Sequence, residues 1–418
     1  MGEMGSLKEG DPLKDITSSK GKELKGRKVL LCVTGSVASI EVPSLARELM
    51  RHGAEVHAVM SEAAEKLVRP ETLEWATGNP VVRRLTGATE HVRLAGEWKG
   101  RADLVLVAPC TANTISKVAL GIDDTPVTTI ASMALGGGIP LVVAPAAHEP
   151  MYRNPAVQAN IRSLEQRGVA FVGPVHLEGK AKMAAVEEIV EEAVKVFTEQ
   201  DLRGLRILVT GGPTVEFIDP VRVITNMSSG KMGLALAADA ARRGAEVVYV
   251  YGGELEAPSR VDSVKVRTTE EMSAAVMKAL GSSKFDAYIS AAAPSDFAPV
   301  TRARKKIPTA GGRFELALKP TPKIVEVVRK KWPKIFMVAF KAETAGSDKE
   351  LERTAQNFRK KLRAGLVIAN NVSGGRGFGA DENSVLILGK GKAIRVEGRP
   401  KVEVARRVLD VVATQLAR

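Results

Sequence analysis

Short apolar runs closed by glycine or proline constrain this chain more than any other feature. KVLLCVT (28–34), ADLVLVAP (102–109), IPLVVAP (139–145) and LRILVTGG (205–212) show almost no alternation of apolar and polar residues. A strand with one wet face alternates. A run without alternation is covered on both faces, as strands are in a parallel sheet between helices. Helical stretches lie between the runs, at 40–52, near 113–120, at 124–134 and at 155–167. AEVHAVM (54–60) and VAFVG (169–173) add two strands, and the whole predicts a parallel sheet covered on both sides.

The pattern restarts after 184–204, a helical stretch that stops at a glycine. LRILVTGG leads to a helix over 231–243, then to AEVVYVYGG (245–253), DAYISAAA (286–293), IFMVAF (335–340) and LVIANN (366–371). SVLILGKGKAIRVEG (384–398) reads as a closing hairpin. A chain of 418 residues exceeds one ordinary core. The expected fold class is therefore α/β, two Rossmann-like domains with mainly parallel sheets. The expected division is an N-terminal extension over 1–26, a first domain over 27–200 and a second over 201–418. The extension is polar, lacks the apolar core of a signal peptide and reads as disordered or loosely attached.

Composition narrows function by exclusion. No apolar run approaches the roughly 20 residues of a membrane span. Cys32 and Cys110 are too few for a disulfide framework and read as buried, inert thiols, which points to the reducing cytoplasm. The net charge is +13, from 61 Lys and Arg against 48 Asp and Glu, so nucleic acid is the first partner to weigh. The basic residues are spread along the chain, however, and aromatic residues make up only 4%, too few to build a stacking platform. Nucleotides and phosphorylated metabolites fit the same charge, with no nucleic acid and no membrane. A nicotinamide enzyme would need a GxGxxG turn, and neither half has one.

In open parallel sheets, ligands collect outside the carboxyl ends of the strands. The polar clusters of this sequence fall there: GSVAS (35–39), PCTANT (109–114), PAAHEPMY (145–152), GGPTVEF (211–217), AAAPSDF (291–297) and FKAET (340–344). In PCTANT, polar side chains stand where a helix begins, and free N–H groups and the helix dipole favour an anion there. Taken alone, the motif is equally an ordinary N-cap.

GSVAS, EHVRLA (90–95), ADLVLVAPCTANTISKVALGI (102–122) and PAAHEPMY together resemble the flavin-dependent cysteine decarboxylases, over about residues 27–183. The resemblance implies FMN, held by Gly35, Ser36, Ser61, Thr111, Asn113 and Thr114. It implies His91 as the base, a role that suits an imidazole titrating near neutrality, and His148 and Met151 as substrate contacts. The implied chemistry oxidises a thiol to a thioaldehyde, which serves as the electron sink for loss of the neighbouring carboxylate. Two departures stand out. His148 replaces an asparagine and Ala147 a methionine of the family pattern. The late stretch GPVHLEGKAKMAAVEE (173–188) also lacks the cysteine that donates a proton in members that reduce the product. His148, His176, Glu178 and Lys180 are the candidate substitutes, and an impaired or purely structural flavin half is the alternative.

GGPTVEFIDPVRVITNMSSGKMG (211–233) combines a glycine turn with Asn226, Ser228, Ser229, Gly230 and Lys231 at the start of a helix. It resembles the signature of phosphopantothenate–cysteine ligases. AAAPSDFAP (291–299), KKIP (305–308), LKPTPKIV (318–325), VAFKAET (338–344) and GFGADEN (377–383) continue the resemblance. It implies that 4′-phosphopantothenate attacks CTP, with Mg²⁺ on the phosphates, and that L-cysteine then takes the acyl group from the acyl cytidylate. Asn226 would handle the acyl cytidylate and Lys306 the charge at phosphorus. The nucleotide would meet Gly211, Ser228, Ser229, Gly230, Lys231, Asp296 and Lys306, then Pro322, Lys323, Ile324 and Val325, and finally Phe340 and Lys361. Lys361 is the choice among lysines near 357–361, and no metal-ligating residue is assigned. Together the halves imply a bifunctional, homo-oligomeric enzyme of coenzyme A biosynthesis. The alternative is a ligase whose flavin-binding half is inactive.

Overall fold

The computed structural model describes residue 13 and residues 15–258, 261–308, 314–373 and 380–417. Residues 377–379 of GFGADEN lie outside this set. The chain separates into two compact units, Met1–Thr198 and Glu199–Arg418.

In the first unit β1 (Lys28–Val33), β2 (Glu55–Met60), β3 (Leu104–Cys110) and β4 (Leu141–Pro145) form a parallel sheet with β6 (Ala170–Phe171). The order is β2-β1-β3-β4-β6. The unalternating runs have the expected cause. Val29, Leu31 and Val33 of β1 enter one core cluster, while Leu30 and Cys32 enter the cluster on the opposite face. Helices Val42–Arg51, Pro70–Thr77 and Val186–Val196 cover the first face. Ala112–Leu120, Pro126–Gly136 and Pro155–Gln166 cover the second. A second, three-stranded sheet holds β5 (Ala147–His148), β7 (Val175–Leu177) and β8 (Lys180–Lys182) in the order β5-β8-β7.

The N-terminal extension departs from expectation over residues 15–26. Backbone N–H groups of Ser18, Lys20, Gly21 and Leu24 donate to the carbonyls of Met50, Arg51, Arg51 and His52. These are carbonyls that the end of helix Val42–Arg51 leaves without intrahelical donors. Leu24 is fully buried in the first core cluster. The segment is a docked cap for that helix, which its polar composition hid.

The second unit carries an eight-stranded sheet in the order β13-β12-β9-β14-β17-β18-β19-β20. The strands are β9 (Arg206–Gly211), β12 (Glu246–Tyr251), β13 (Asp262–Lys265), β14 (Ala287–Ser290), β17 (Phe336–Glu343), β18 (Leu366–Asn371), β19 (Glu382–Leu388) and β20 (Ile394–Pro400). Pairing is parallel from β13 to β18, and the last two strands form the expected antiparallel hairpin. Helices Lys231–Arg242 and Lys401–Leu416 pack on one face. Thr269–Ser282, Ile324–Lys331 and Asp348–Leu362 pack on the other. Two small ribbons, β10 (Val215–Phe217) with β11 (Val223–Thr225) and β15 (Phe297–Pro299) with β16 (Leu318–Pro320), stand at the carboxyl ends.

Candidate active sites

In the first unit the loops after β1 and β3 are tied together by Thr34. Its hydroxyl donates to the Pro109 carbonyl at 2.8 Å and accepts the Thr111 N–H at 3.1 Å. Each predicted hydroxyl then does a local task. Ser36 accepts from the Ala38 N–H, Ser61 from that of Ala64, and Thr111 from that of Thr114. Gly35 has a packing reason of its own, since a Cβ there would stand 2.5 Å from the Ala63 Cβ.

Above these turns lies a cleft of about 1060 Å³. Gly35, Ser36, Thr111, His148 and Met151 line it, and Ser61, Asn113, Thr114 and His91 do not. Its walls include the exposed apolar side chains of Val37 and Ile40 beside Met151. His91 stands on the short helix Glu90–Ala95, and its Nδ1 is buried with no hydrogen-bond partner among the described residues. Burial pushes the Cys32 thiol up to about 12 and raises that of Cys110 too, so both are inert as expected.

The stretch without a cysteine is a hairpin. Leu177 pairs with Lys180, and Glu178 and Gly179 between them both have positive φ, 54° and 69°. That is the signature of a two-residue type I′ turn. Of the candidate proton donors, His148 and Lys180 face the cleft. His176 is held by Glu149 at 2.8 Å and sits edge-on to Tyr152. Glu178 pairs with Lys182, and that hydrogen bond lowers its pKa.

The second unit gathers its predicted residues more completely. A cleft of about 540 Å³ runs across the carboxyl ends of the sheet. Asn226, Ser228, Ser229 and Gly230 line it from the loop after β11. Asp296 comes from the loop after β14, and Pro322, Lys323, Ile324 and Val325 from the start of a helix. Phe340 reaches it from β17 and Lys361 from helix Asp348–Leu362. Asn226 donates through Nδ2 to the Pro294 carbonyl at 2.8 Å, joining two of these loops. Several predicted charges are paired: Asp296 with Lys323, Lys361 with Glu326, and Lys231 with Asp381. Such exposed pairs are worth about 0–1 kcal/mol and open readily to a charged ligand.

Gly211, Lys231 and Lys306 do not line this cleft. A Cβ at Gly211 would stand 2.3 Å from the Tyr249 hydroxyl, and one at Gly233 would stand 2.5 Å from the Gly211 Cα. These glycines let the helix lie against the strand end. Lys306 is exposed on a loop whose anchor is Asp219. One Asp219 oxygen accepts the N–H groups of Val221 and Arg222, each at 2.8 Å. The other accepts the Ile307 N–H at 3.1 Å and the Arg222 guanidinium at 2.6 Å. Burial alone would raise the Asp219 pKa, but these hydrogen bonds outweigh it and hold it down at about 2.

Sequence reasoning also missed the hub beneath the cleft. The buried Thr214 hydroxyl meets the Thr269 hydroxyl at 2.7 Å and accepts the Ser295 N–H at 2.9 Å. Glu216 accepts the Thr269 N–H at 2.8 Å. Among the described residues no group of three His, Cys, Asp or Glu side chains is placed to hold a metal, and no helix is long and apolar enough to cross a membrane.

A loop-bordered cleft at the carboxyl ends of each of two doubly wound sheets defines a two-unit α/β enzyme. Residues 17–198 match the Flavoprotein family model, and residues 202–416 match the model of the DNA/pantothenate metabolism flavoprotein C-terminal domain. The coenzyme A biosynthesis bifunctional protein CoaBC of Thermococcus kodakarensis is 46% identical over 97% of this chain and 99% of its own. That of Methanocaldococcus jannaschii is 38% identical over 96% and 97%. A solved structure, the C-terminal domain of a CoaBC bifunctional protein, is 32% identical with a TM-score of 0.44, covering 52% of this chain and 99% of its own. The chain belongs to the family of bifunctional coenzyme A biosynthesis proteins. It is an enzyme with carbon–nitrogen ligase and carboxy-lyase activities.

Proposed function

We propose that residues 201–418 join 4′-phosphopantothenate to L-cysteine using CTP, and that residues 27–200, with FMN, decarboxylate the product to 4′-phosphopantetheine. The observation that carries the ligase assignment is the convergence of Asn226, the Ser228–Ser229–Gly230 turn, Asp296 and the Pro322–Val325 stretch on one cleft. The substrate carboxylate attacks the α-phosphorus of CTP, a carbon-bound oxygen–phosphorus bond forms, and pyrophosphate leaves. The cysteine amine then attacks the acyl carbon and CMP leaves. Lys306, on the loop that Asp219 anchors, supplies positive charge as negative charge grows at phosphorus. Asn226, fixed by Pro294, stands against the acyl cytidylate, and Phe340 stands beside the base. Mg²⁺, carried by the nucleotide phosphates, would supply charge neutralisation there, and no side chain is assigned to it.

The first cleft fits a flavin on chemical grounds, since it combines exposed apolar walls with a capped helix N-terminus. Bound there, FMN supplies reversible two-electron oxidation. Ser36 and Thr111 would hold its phosphate, with Gly35, Ser61, Asn113 and Thr114 supporting their turns, and Val37, Ile40 and Met151 would supply apolar contact for its ring. His91 takes the substrate proton and His148 meets the carboxylate. Lys180, which lines the cleft with His148, would return a proton to the decarboxylated carbon, while His176 and Glu178 lie outside the lining and are paired with Glu149 and Lys182. The enzyme works in the cytoplasm as a homo-oligomer. Joining consecutive steps in one chain raises the local concentration of the intermediate.

A second reading, a ligase on an inactive flavin scaffold, draws on the place of His91 outside the cleft-lining set. One experiment separates the two. Purified protein with FMN and preformed 4′-phosphopantothenoylcysteine, without nucleotide, is followed by mass spectrometry for loss of CO₂. A parallel incubation with 4′-phosphopantothenate, cysteine, CTP and Mg²⁺ is followed for pyrophosphate. Product in both incubations is the expected result. Pyrophosphate without decarboxylation selects the second reading, and neither product overturns both.

A further inference from the structure

Lys401 is the first residue of the helix Lys401–Leu416 and is only 7% exposed. A cation is badly placed there. The helix N-terminus is the positive end of its dipole, and removing an ammonium from water is costly unless it is paired. Among the described residues, no carboxylate forms an ion pair with the Lys401 side chain and no group accepts its hydrogen bond, yet its Nζ is not one of the buried polar atoms left without a partner, so the tip of this largely buried chain still meets solvent. Asp381, the nearest acid to act on it, is bound to Lys231, and only its backbone carbonyl meets Lys401, at the amide N–H, 3.0 Å away. Burial and the neighbouring Lys231 lower the pKa of Lys401, against a smaller opposing effect of Asp381.

What the side chain does face is the cleft of the second unit. Two helix starts border the cleft, those after Gly230 and at Lys401, and Lys231 of the first is close enough to act on Lys401. Lys231–Arg242 starts after Gly230, which has φ of 75° and offers no side-chain cap, and its first turn holds no acidic residue. Lys401–Leu416 likewise has no side-chain cap, although its first turn carries Glu403, and both helices pack on the same face of the sheet. Lys323 and Lys361 also line the cleft, from the start and the last turn of helices that pack on the opposite face of the sheet. The cleft therefore meets two helix starts without side-chain caps and an ammonium that has no ion-pair partner, carried on an almost wholly buried stem.

We infer that Lys401 is a further substrate-binding residue of this cleft, and that it takes a phosphate group of a substrate between the two helix N-termini. A phosphate is the group that such a set of donors completes. Two sources share that chemistry: the polyphosphate of the nucleotide and the phosphate monoester of the pantothenoyl acid. The inference rests on the proposed ligase reading and deepens it.

The test compares wild type with Lys401→Met and Lys401→Arg, measuring KM for CTP and for 4′-phosphopantothenate separately, with kcat and the Tm of the ligand-free protein. Lys401→Met is expected to raise one of the two KM values by about 10- to 100-fold, the effect of one lost charge-assisted hydrogen bond. The substrate whose KM moves identifies the source of the phosphate. Lys401→Arg is expected to restore most of it. Ligand-free Lys401→Met should melt no lower than wild type, because a cation has been removed from the positive end of a helix with little loss of volume. A merely structural lysine gives the reverse: lower Tm and both KM values within twofold. That result overturns the inference while leaving the ligase reading intact. If wild type shows no ligation, the reading itself fails. Inorganic pyrophosphate then serves as the probe: a roughly tenfold loss of its affinity in Lys401→Met still supports the phosphate site, and unchanged or absent binding overturns it.

Discussion

The two clefts sit at equivalent places in similar sheets, yet they are built differently. In the first unit the polar residues that mark the site are spent locally: Ser36, Ser61 and Thr111 each cap a helix that begins within three residues. In the second unit the polar residues join distant loops: Asn226 to Pro294, Thr214 to Ser295, Asp219 to Ile307. Local caps hold one turn each, and the loops after β1 and β3 are tied to each other through the single hydroxyl of Thr34. Long-range hydrogen bonds fix the loops against one another, and that is the preorganisation a charge-developing reaction needs. The second cleft should therefore be the less tolerant of polar substitutions beneath it.

The largest effect expected from this difference lies on the Lys306 loop. Lys306→Ala should lower ligase kcat by about 100- to 1000-fold, the scale of losing one preorganised charge at a developing anion. CTP binding, measured by calorimetry, should change far less. Asp219→Asn tests the anchor of the loop and not the charge itself, and should lower kcat by about 100-fold with Lys306 still present. Decarboxylation of preformed 4′-phosphopantothenoylcysteine serves as the control and should keep its rate in both variants. Equal loss of both activities would mean global damage and break the comparison.

Asp219 also predicts a pH dependence. Its folded pKa, about 2, lies below the ordinary 3.8, so the ionised form is favoured by folding. That stabilisation is complete above about pH 4. It is lost as pH falls through the folded value. Acid unfolding of wild type should steepen between those limits, and Asp219→Asn should flatten that limb of the curve.

The sheet frameworks were legible because buried parallel strands announce themselves in unalternating runs such as LVLVAPC and LVIANN. The closing hairpin was legible for a different reason, two strand-like runs separated by the short glycine-containing stretch GKGK. Residues that line the clefts were legible where they belong to one continuous stretch: Ser228 to Gly230 and Pro322 to Val325 arrive together. Residues that act across the chain were not. Asp219 reads as one more acidic residue in a turn, and its partner Ile307 is 88 positions away. Thr214 reads as a turn residue, and its partner Ser295 is 81 positions away. Lys401 follows a hairpin in a polar stretch, GRPKVE, with nothing in its surroundings to mark burial. The docking of the extension at 15–26 is hidden from composition because it rests on backbone N–H groups, on Leu24 with Ile16, and on the pairing of Lys20 with Glu48 and Glu23 with His52, all set by partners far along the chain.

A smaller effect tests the hub. Thr214→Val keeps the shape and removes the hydroxyl, so the buried Ser295 N–H loses its acceptor. An unsatisfied buried donor costs about 1–3 kcal/mol, and chemical denaturation of the second unit should show a loss of that size. Because Ser295 adjoins Asp296, the KM for CTP should rise in parallel.

The smallest expected effect belongs to the first cleft and probes the local side of the comparison. Thr111→Val removes the cap of helix Ala112–Leu120 and the contact with the Thr114 hydroxyl at 3.1 Å. A lost N-cap costs about 1 kcal/mol, so the first unit should melt a few degrees lower. Thr111→Asn keeps a capping oxygen while changing the group presented to the cleft. If Thr111 serves the flavin only by holding the helix N-terminus in place, Thr111→Asn restores both the melting temperature and FMN affinity read by fluorescence quenching. If its hydroxyl meets the phosphate directly, stability returns and affinity does not. The second outcome would give this turn a ligand contact beyond its cap, and would make the two clefts more alike than their hydrogen bonds imply.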